Sequence, residues 1–176
     1  LQKKGYQDNT IIVLTSDHGE ELFDHGGWNH GHSVHRELTH IPLIVSGPNI
    51  SGHNRVKTPV SLIDIAPSVL DWLELPTSGS FEGVPLNQAN AQRPLFTRSS
   101  FLPRKAAVRH LGWTLIQESD ASFRLYDQVN DPNELRDVAN QHPERVKALK
   151  EQLHNWLAGQ TDRPTREPSE EELERL

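Results

Sequence analysis

Neither cysteine nor methionine occurs among these 176 residues. Without cysteine the chain has no disulfide framework, no thiolate zinc cage and no cysteine nucleophile of its own. That absence does not fix a compartment, because exported bacterial proteins often lack cysteine too. No run of 18 apolar residues is present, so no segment has the pattern of a membrane-spanning helix, and no signal peptide is recognisable. Positive charge is scarce: 18 Lys and Arg against 24 Asp and Glu give a net charge of −6. That balance argues against a nucleic-acid partner, which needs concentrated Lys and Arg. The opening LQKKGY, with no initiator methionine, has the pattern of a helix end stopped at Gly5 and implies further chain upstream.

What the chain does have is enough length for a sizeable core, with 34% hydrophobic and 24% charged residues. Residues 10–15 form a β-branched apolar run, the pattern of a strand buried on both faces of a largely parallel sheet. A polar, Gly/His-rich loop spans residues 17–40, and 41–47 is a second short strand stopped by Gly47-Pro48. Leu62, Ile65, Ala66, Val69, Leu70 and Leu73 recur at helical spacing. Ser61 and Asp64 form a capping pattern, and Pro67 predicts a bend or the start of the regular helix. Short strands are expected at 95–98, 106–109, 113–117 and 124–126, with turns at Leu111-Gly112 and 119–122. Pro143 opens a helix with Val146, Leu149, Leu153, Trp156 and Leu157 on one stripe, ended by Gly159. The predicted organisation is a first unit over 1–90, an α+β unit over 91–159 and a charged tail over 160–176, where 169–176 has weak helical character.

Chemistry concentrates in the loop. Six of the ten histidines (His18, His25, His30, His32, His35, His40) fall between positions 18 and 40. Asp17 and His18, delivered together at a strand end, offer a hard oxygen and a borderline nitrogen to a divalent cation. The carboxyl end of a strand is also where open α/β sheets place their sites. The plain alternative is a turn-capping Asp17 beside an ordinary loop histidine. His30 and His32 flank Gly31, and spacing leaves open which one points inward. Either imidazole has the chemistry to hold an anionic oxygen or protonate a leaving group. His25, His35 and His40 fit structural roles, Glu20 and Glu21 solvated or capping ones, and Glu37 the orienting of a loop histidine. Trp72, Trp113, Tyr126 and Trp156 read as core contacts. Arg98, Arg104 and Arg109 are rim candidates for an anionic pocket, and the turn at 130–134 carries no assigned chemistry.

The segments NTIIVLTSDHGE (9–20), GHSVHRE (31–37), IPLIV (41–45) and VSLIDIAPSVLD (60–71) closely resemble consecutive segments of the sulfatase family, within the alkaline phosphatase superfamily. Further on, KAAVR (105–109), GWTLI (112–116) and LYDQVNDPNE (125–134) resemble that family's C-terminal subdomain. The resemblance runs over about residues 1–159, and its specificity lies in the order and spacing of the pieces. It implies an α/β, alkaline-phosphatase-like fold: the end of a mixed, mostly parallel sheet, then a small C-terminal antiparallel sheet with a packed helix. The implied activity is sulfuric ester hydrolysis on a small-molecule or carbohydrate sulfate ester. A phosphodiester or phosphonate monoester hydrolase, or a phosphoryl transferase, of the same superfamily is the alternative, and a non-catalytic metal-binding domain a third reading.

The resemblance also implies that Asp17 and His18 are metal ligands for Ca, Mn, Zn or Mg. Many calcium-dependent sulfatases have Asp-Asn at this pair, so His18 favours Mn or Zn. His32 stands where many sulfatases carry a lysine that contacts the anionic oxygens of the substrate. It is therefore expected to be catalytic and substrate-binding, with His30 as a further substrate contact. The family's formylglycine nucleophile comes from its N-terminal half, so the N-terminal remainder of the catalytic domain is the expected partner. This C-terminal portion alone is expected to be inactive.

Overall fold

A computed structural model describes residues 2–48, 50, 54–76, 81–99 and 101–161. The helical reading of 169–176 lies outside the described residues. Strand β1 (Ile12–Thr15) pairs with β4 (Leu43–Ser46) in antiparallel register, Ile12 opposite Ser46 and Thr15 opposite Leu43. Between them lie a two-residue-per-strand hairpin, β2 (Glu21–Leu22) with β3 (Trp28–Asn29), and the single-turn helix α1 (Arg36–Thr39). The Gly19 amide donates to the Leu38 carbonyl at 2.9 Å, which folds the loop back against α1. The expected burial of β1 on both faces is not what the structure has: Ile12 is 46% and Leu14 53% exposed. The described residues contribute no layer that covers them.

The capping pattern at Ser61 is real. Its backbone amide donates to Asp64 Oδ2 at 2.8 Å, opening a 3-10 turn (Leu62–Asp64) that leads into α2 (Ile65–Trp72). Pro67 sits in the first turn of α2, where its missing N–H costs nothing. The apolar stripe read from the sequence is not the face that α2 buries. Leu62 and Leu73 are exposed, while Asp64, Pro67 and Ser68 are buried. Polar bonds explain the difference: Asp64 accepts from the Val84 amide (3.0 Å) and from both terminal nitrogens of Arg93, and the Ser68 hydroxyl accepts from the Leu86 amide (2.8 Å). This face is therefore stitched to the 83–93 segment by hydrogen bonds.

The second half is a four-stranded antiparallel sheet in the order β5 (Leu95–Arg98), β6 (Ala106–His110), β7 (Trp113–Ser119), β8 (Ser122–Asp127). Leu111 and Gly112 both have positive φ (52° and 79°), which suits the two-residue turn joining β6 to β7. Period-2 alternation divides the sheet cleanly. Ala106, Val108, Leu115 and Leu125 face α3 (Pro143–Thr161) and pack on its Leu149 and Leu153. Ala107, Ile116 and Tyr126 face the other way, onto Val34 of the histidine loop. The loop is thus a packed layer on the sheet. Helix α3 continues through Gly159 to Thr161, because a lone glycine weakens a helix without having to end it.

Candidate functional site

Strand β1 runs out into Ser16, Asp17 and His18. The Ser16 hydroxyl donates to the His18 carbonyl (2.6 Å), and the His18 amide donates to Asp17 Oδ1 (3.0 Å). This local network, led by bonding to its own backbone and to His18, holds the Asp17 carboxyl below its ordinary pKa. His18 Nδ1 lies 2.8 Å from the Gly19 carbonyl, which can only accept, so Nδ1 carries the hydrogen. The lone pair is then on Nε2, 3.6 Å from Asp17 Oδ2. Two donors that suit a divalent cation are therefore presented together, both solvent-accessible. Among the described residues no group of three or more His, Cys, Asp or Glu converges to hold a metal ion unaided.

The two glycine-flanked histidines part company. His30 stacks on His18 with ring centroids 4.0 Å apart, its Nδ1 3.3 Å from Glu20 Oε1. His32 turns to Glu21, with Nε2 2.9 Å from Oε2. Glu21 was expected to be solvated or capping; it is buried, and also accepts from the amides of Gly27 (2.6 Å) and His25 (3.2 Å). Burial alone would raise its pKa, but the bonds from Gly27, His32 and His25 outweigh that and hold it below the ordinary value.

Beneath these residues lies a buried polar network. The rings of His25 and His35 stack at 3.7 Å, nearly parallel. Glu37 orients His25 (Nδ1 to Oε1, 2.8 Å), the role read for it from the sequence, and His25 Nε2 reaches the Glu134 carbonyl at 2.9 Å. Glu134 is 1% exposed and accepts from His35 Nδ1 (3.1 Å), the Arg36 amide (3.0 Å) and Arg109 (3.3 Å). Burial pushes its pKa up, but His35 and the Arg109 charge more than offset this and bring it down to about 2. Burial likewise opposes charge on His25, yet the bonds to Glu37 and Glu134 leave it raised. Arg109 is therefore no rim residue; it also donates to the Val34 carbonyl at 2.8 Å. Glu134 belongs to the turn given no chemistry from the sequence, and no local pattern marks it.

The family model described as sulfatase matches residues 1–75. Arylsulfatase K of Xenopus laevis is 29% identical over 175 residues, covering 88% of this chain and 32% of that protein. The chain thus spans about a third of the length of the curated relatives it matches. Among solved structures, a phosphonate monoester hydrolase from Silicibacter pomeroyi superposes with a TM-score of 0.75 at 26% identity, over 88% of this chain and 36% of that one. A protein solved with its substrate D-glucosamine-2-N,6-O-disulfate gives a TM-score of 0.71 at 24% identity, over 96% of this chain and 38% of that one.

Proposed function

This chain belongs to the sulfatase family, and its fold is of the alkaline-phosphatase type; from that premise we propose that it forms part of a metal-dependent hydrolase of sulfuric esters. The observation that carries the reading is the paired Asp17 carboxylate and His18 Nε2 lone pair at the end of β1, with His30 stacked beside them. Asp17 and His18 are two of the ligands for Ca, Mn, Zn or Mg, and further ligands come from the N-terminal remainder of the catalytic domain. When bound, a divalent ion supplies Lewis-acid polarisation of the ester oxygen. The protein's own groups do the rest. His30 holds an anionic oxygen of the substrate next to the ligand pair, and His32 contacts substrate and protonates the leaving oxygen.

The formylglycine nucleophile lies in that same remainder, so the chain alone is inactive. The proposed organisation is 1–90 as part of the catalytic domain, 91–159 as the C-terminal α+β subdomain and 160–176 as a charged tail. A carbohydrate sulfate ester suits the reading, since one structural neighbour was solved with a disulfated glucosamine. The second reading, a phosphodiester or phosphonate ester substrate, is favoured by the likeness to a phosphonate monoester hydrolase. The His32 imidazole, standing where a lysine is common in the family, points the same way.

The test is turnover of paired aryl sulfate and aryl phosphonate esters by the protein that carries this chain with the family's upstream catalytic residues. Sulfate should be preferred. Asp17→Ala and His18→Ala should each lower kcat/KM by about 100-fold or more. Unchanged turnover in Asp17→Ala at saturating metal removes the enzymatic assignment of that residue, and no turnover of either ester by the unaltered protein leaves a metal-binding domain.

A further inference from the structure

The pairing of His32 with Glu21 has the form of a carboxylate–imidazole dyad. A carboxylate accepts the hydrogen of one ring nitrogen and thereby dictates what the other can do. Three features show that this one is built into the fold. Glu21 is 1% exposed at the start of β2 and receives three hydrogen bonds. A Cβ at Gly27 would lie 2.8 Å from each Glu21 carboxylate oxygen and run into His32 Nε2, so the glycine keeps the space in which the pair meets. The neighbouring Glu20–His30 pair is looser and exposed, with both side chains more than 40% accessible. The His32 side chain is about one-third exposed, so part of the ring stays open to solvent.

We propose that Glu21 is a positioning residue that locks His32 as the Nε2–H tautomer, leaving Nδ1 as the nitrogen that gives its proton to the leaving-group oxygen. This rests on the hydrolase reading above. In the step, the incoming nucleophile bonds to sulfur while the bond from sulfur to the leaving oxygen breaks. The electron pair of that bond stays on the oxygen, which takes the Nδ1 proton. The ring goes from imidazolium to neutral, and its remaining hydrogen stays on Nε2, shared with the Glu21 carboxylate.

Two measurements decide it. Nitrogen-15 NMR of the protein that carries this chain should show neutral His32 as the Nε2–H tautomer, and Glu21→Gln should populate both tautomers. A wild-type Nδ1–H tautomer, or no change in the variant, overturns the proposal without reference to turnover. In the active protein, Glu21→Gln should lower kcat about 100-fold on an alkyl sulfate, whose leaving group needs a proton. On 4-nitrophenyl sulfate, whose leaving group does not, it should lower kcat by less than about 3-fold, with KM unchanged on both. Equal loss on the two esters overturns the acid role while leaving the hydrolase reading standing. Absence of ester hydrolysis by the unaltered protein removes that reading separately. Should Glu21→Gln fail to fold, Glu21→Asp, which keeps a carboxylate, carries the same comparison. It should retain part of the alkyl sulfate activity and the Nε2–H tautomer, and complete loss of that activity in a folded variant with the tautomer unchanged overturns the proposal.

Discussion

His35 Nδ1 and Glu134 Oε2 meet 3.1 Å apart although ninety-nine positions of sequence separate them. The contact joins the histidine loop to the turn that follows β8, and the Arg36 amide and the Arg109 guanidinium converge on the same carboxylate. A charge buried in this way is tolerable only while its partners remain. Glu134→Ala should therefore cost about 3–5 kcal/mol, because Arg109 and His35 are left without their acceptor. Urea unfolding measures this, and a loss under 1 kcal/mol would show that the network contributes little.

The same residues set a pH dependence. Glu134 is depressed from the usual 4.5 to about 2, so its contribution is complete above pH 4.5 and disappears as pH falls towards 2. It amounts to at most about 3 kcal/mol. His25 is raised, so its contribution is complete below its ordinary value of 6.5 and disappears as pH rises through the elevated one. The combined contribution of Glu134 and His25 should therefore be greatest between about pH 4.5 and 6.5. Urea midpoints across pH check it: Glu134→Gln should flatten the acid side and His25→Gln the alkaline side.

Asp64 plays a comparable part in the first half. It is fully buried, and its carboxyl is held below the ordinary pKa because bonds from Arg93, Ser61 and Val84 outweigh the effect of burial. Asp64→Ala should destabilise by about 3 kcal/mol and abolish hydrogen-exchange protection at the Val84 amide. Retained protection at Val84 would contradict the role given to this carboxylate.

Gly19, immediately after His18, comes so close to α1 that a Cβ would run into the Glu37 carbonyl. That obstacle is backbone and cannot swing aside. Gly19→Ala should cost about 1–3 kcal/mol and displace the His18 ring from His30. Loss of the mutual ring-current shifts of these two histidines in proton NMR reports the displacement.

The sheet was the most legible part of the sequence. Residues 95–98 and the positions around Leu111-Gly112 carry local signals, period-2 alternation and turn chemistry, which neighbours did not override. The helix at 65–72 was harder, because its buried face is set by Asp64 and Ser68 meeting Arg93 and Leu86, and apolar spacing carries no trace of such bonds. In the site, Asp17 and His18 could be read as a pair because adjacency at a strand end is itself the geometry. Glu21 and Glu134 could not, since what distinguishes each from an ordinary surface glutamate is a partner brought in by folding: His32 across a hairpin, and His35 and Arg109 across the sheet.

The bond from Glu134 to His35 also sets an order of events during synthesis. A ribosome has to translate the whole of β5 to β8 after the histidine loop emerges before the acceptor for that loop exists. Until then the imidazole at 35 lacks its carboxylate and the one at 25 lacks the backbone carbonyl of the same residue, and the strand-end pair sits on an unanchored support. Stalling or cleavage anywhere before position 134 should therefore silence residues that lie a hundred positions upstream, with no change to any of them.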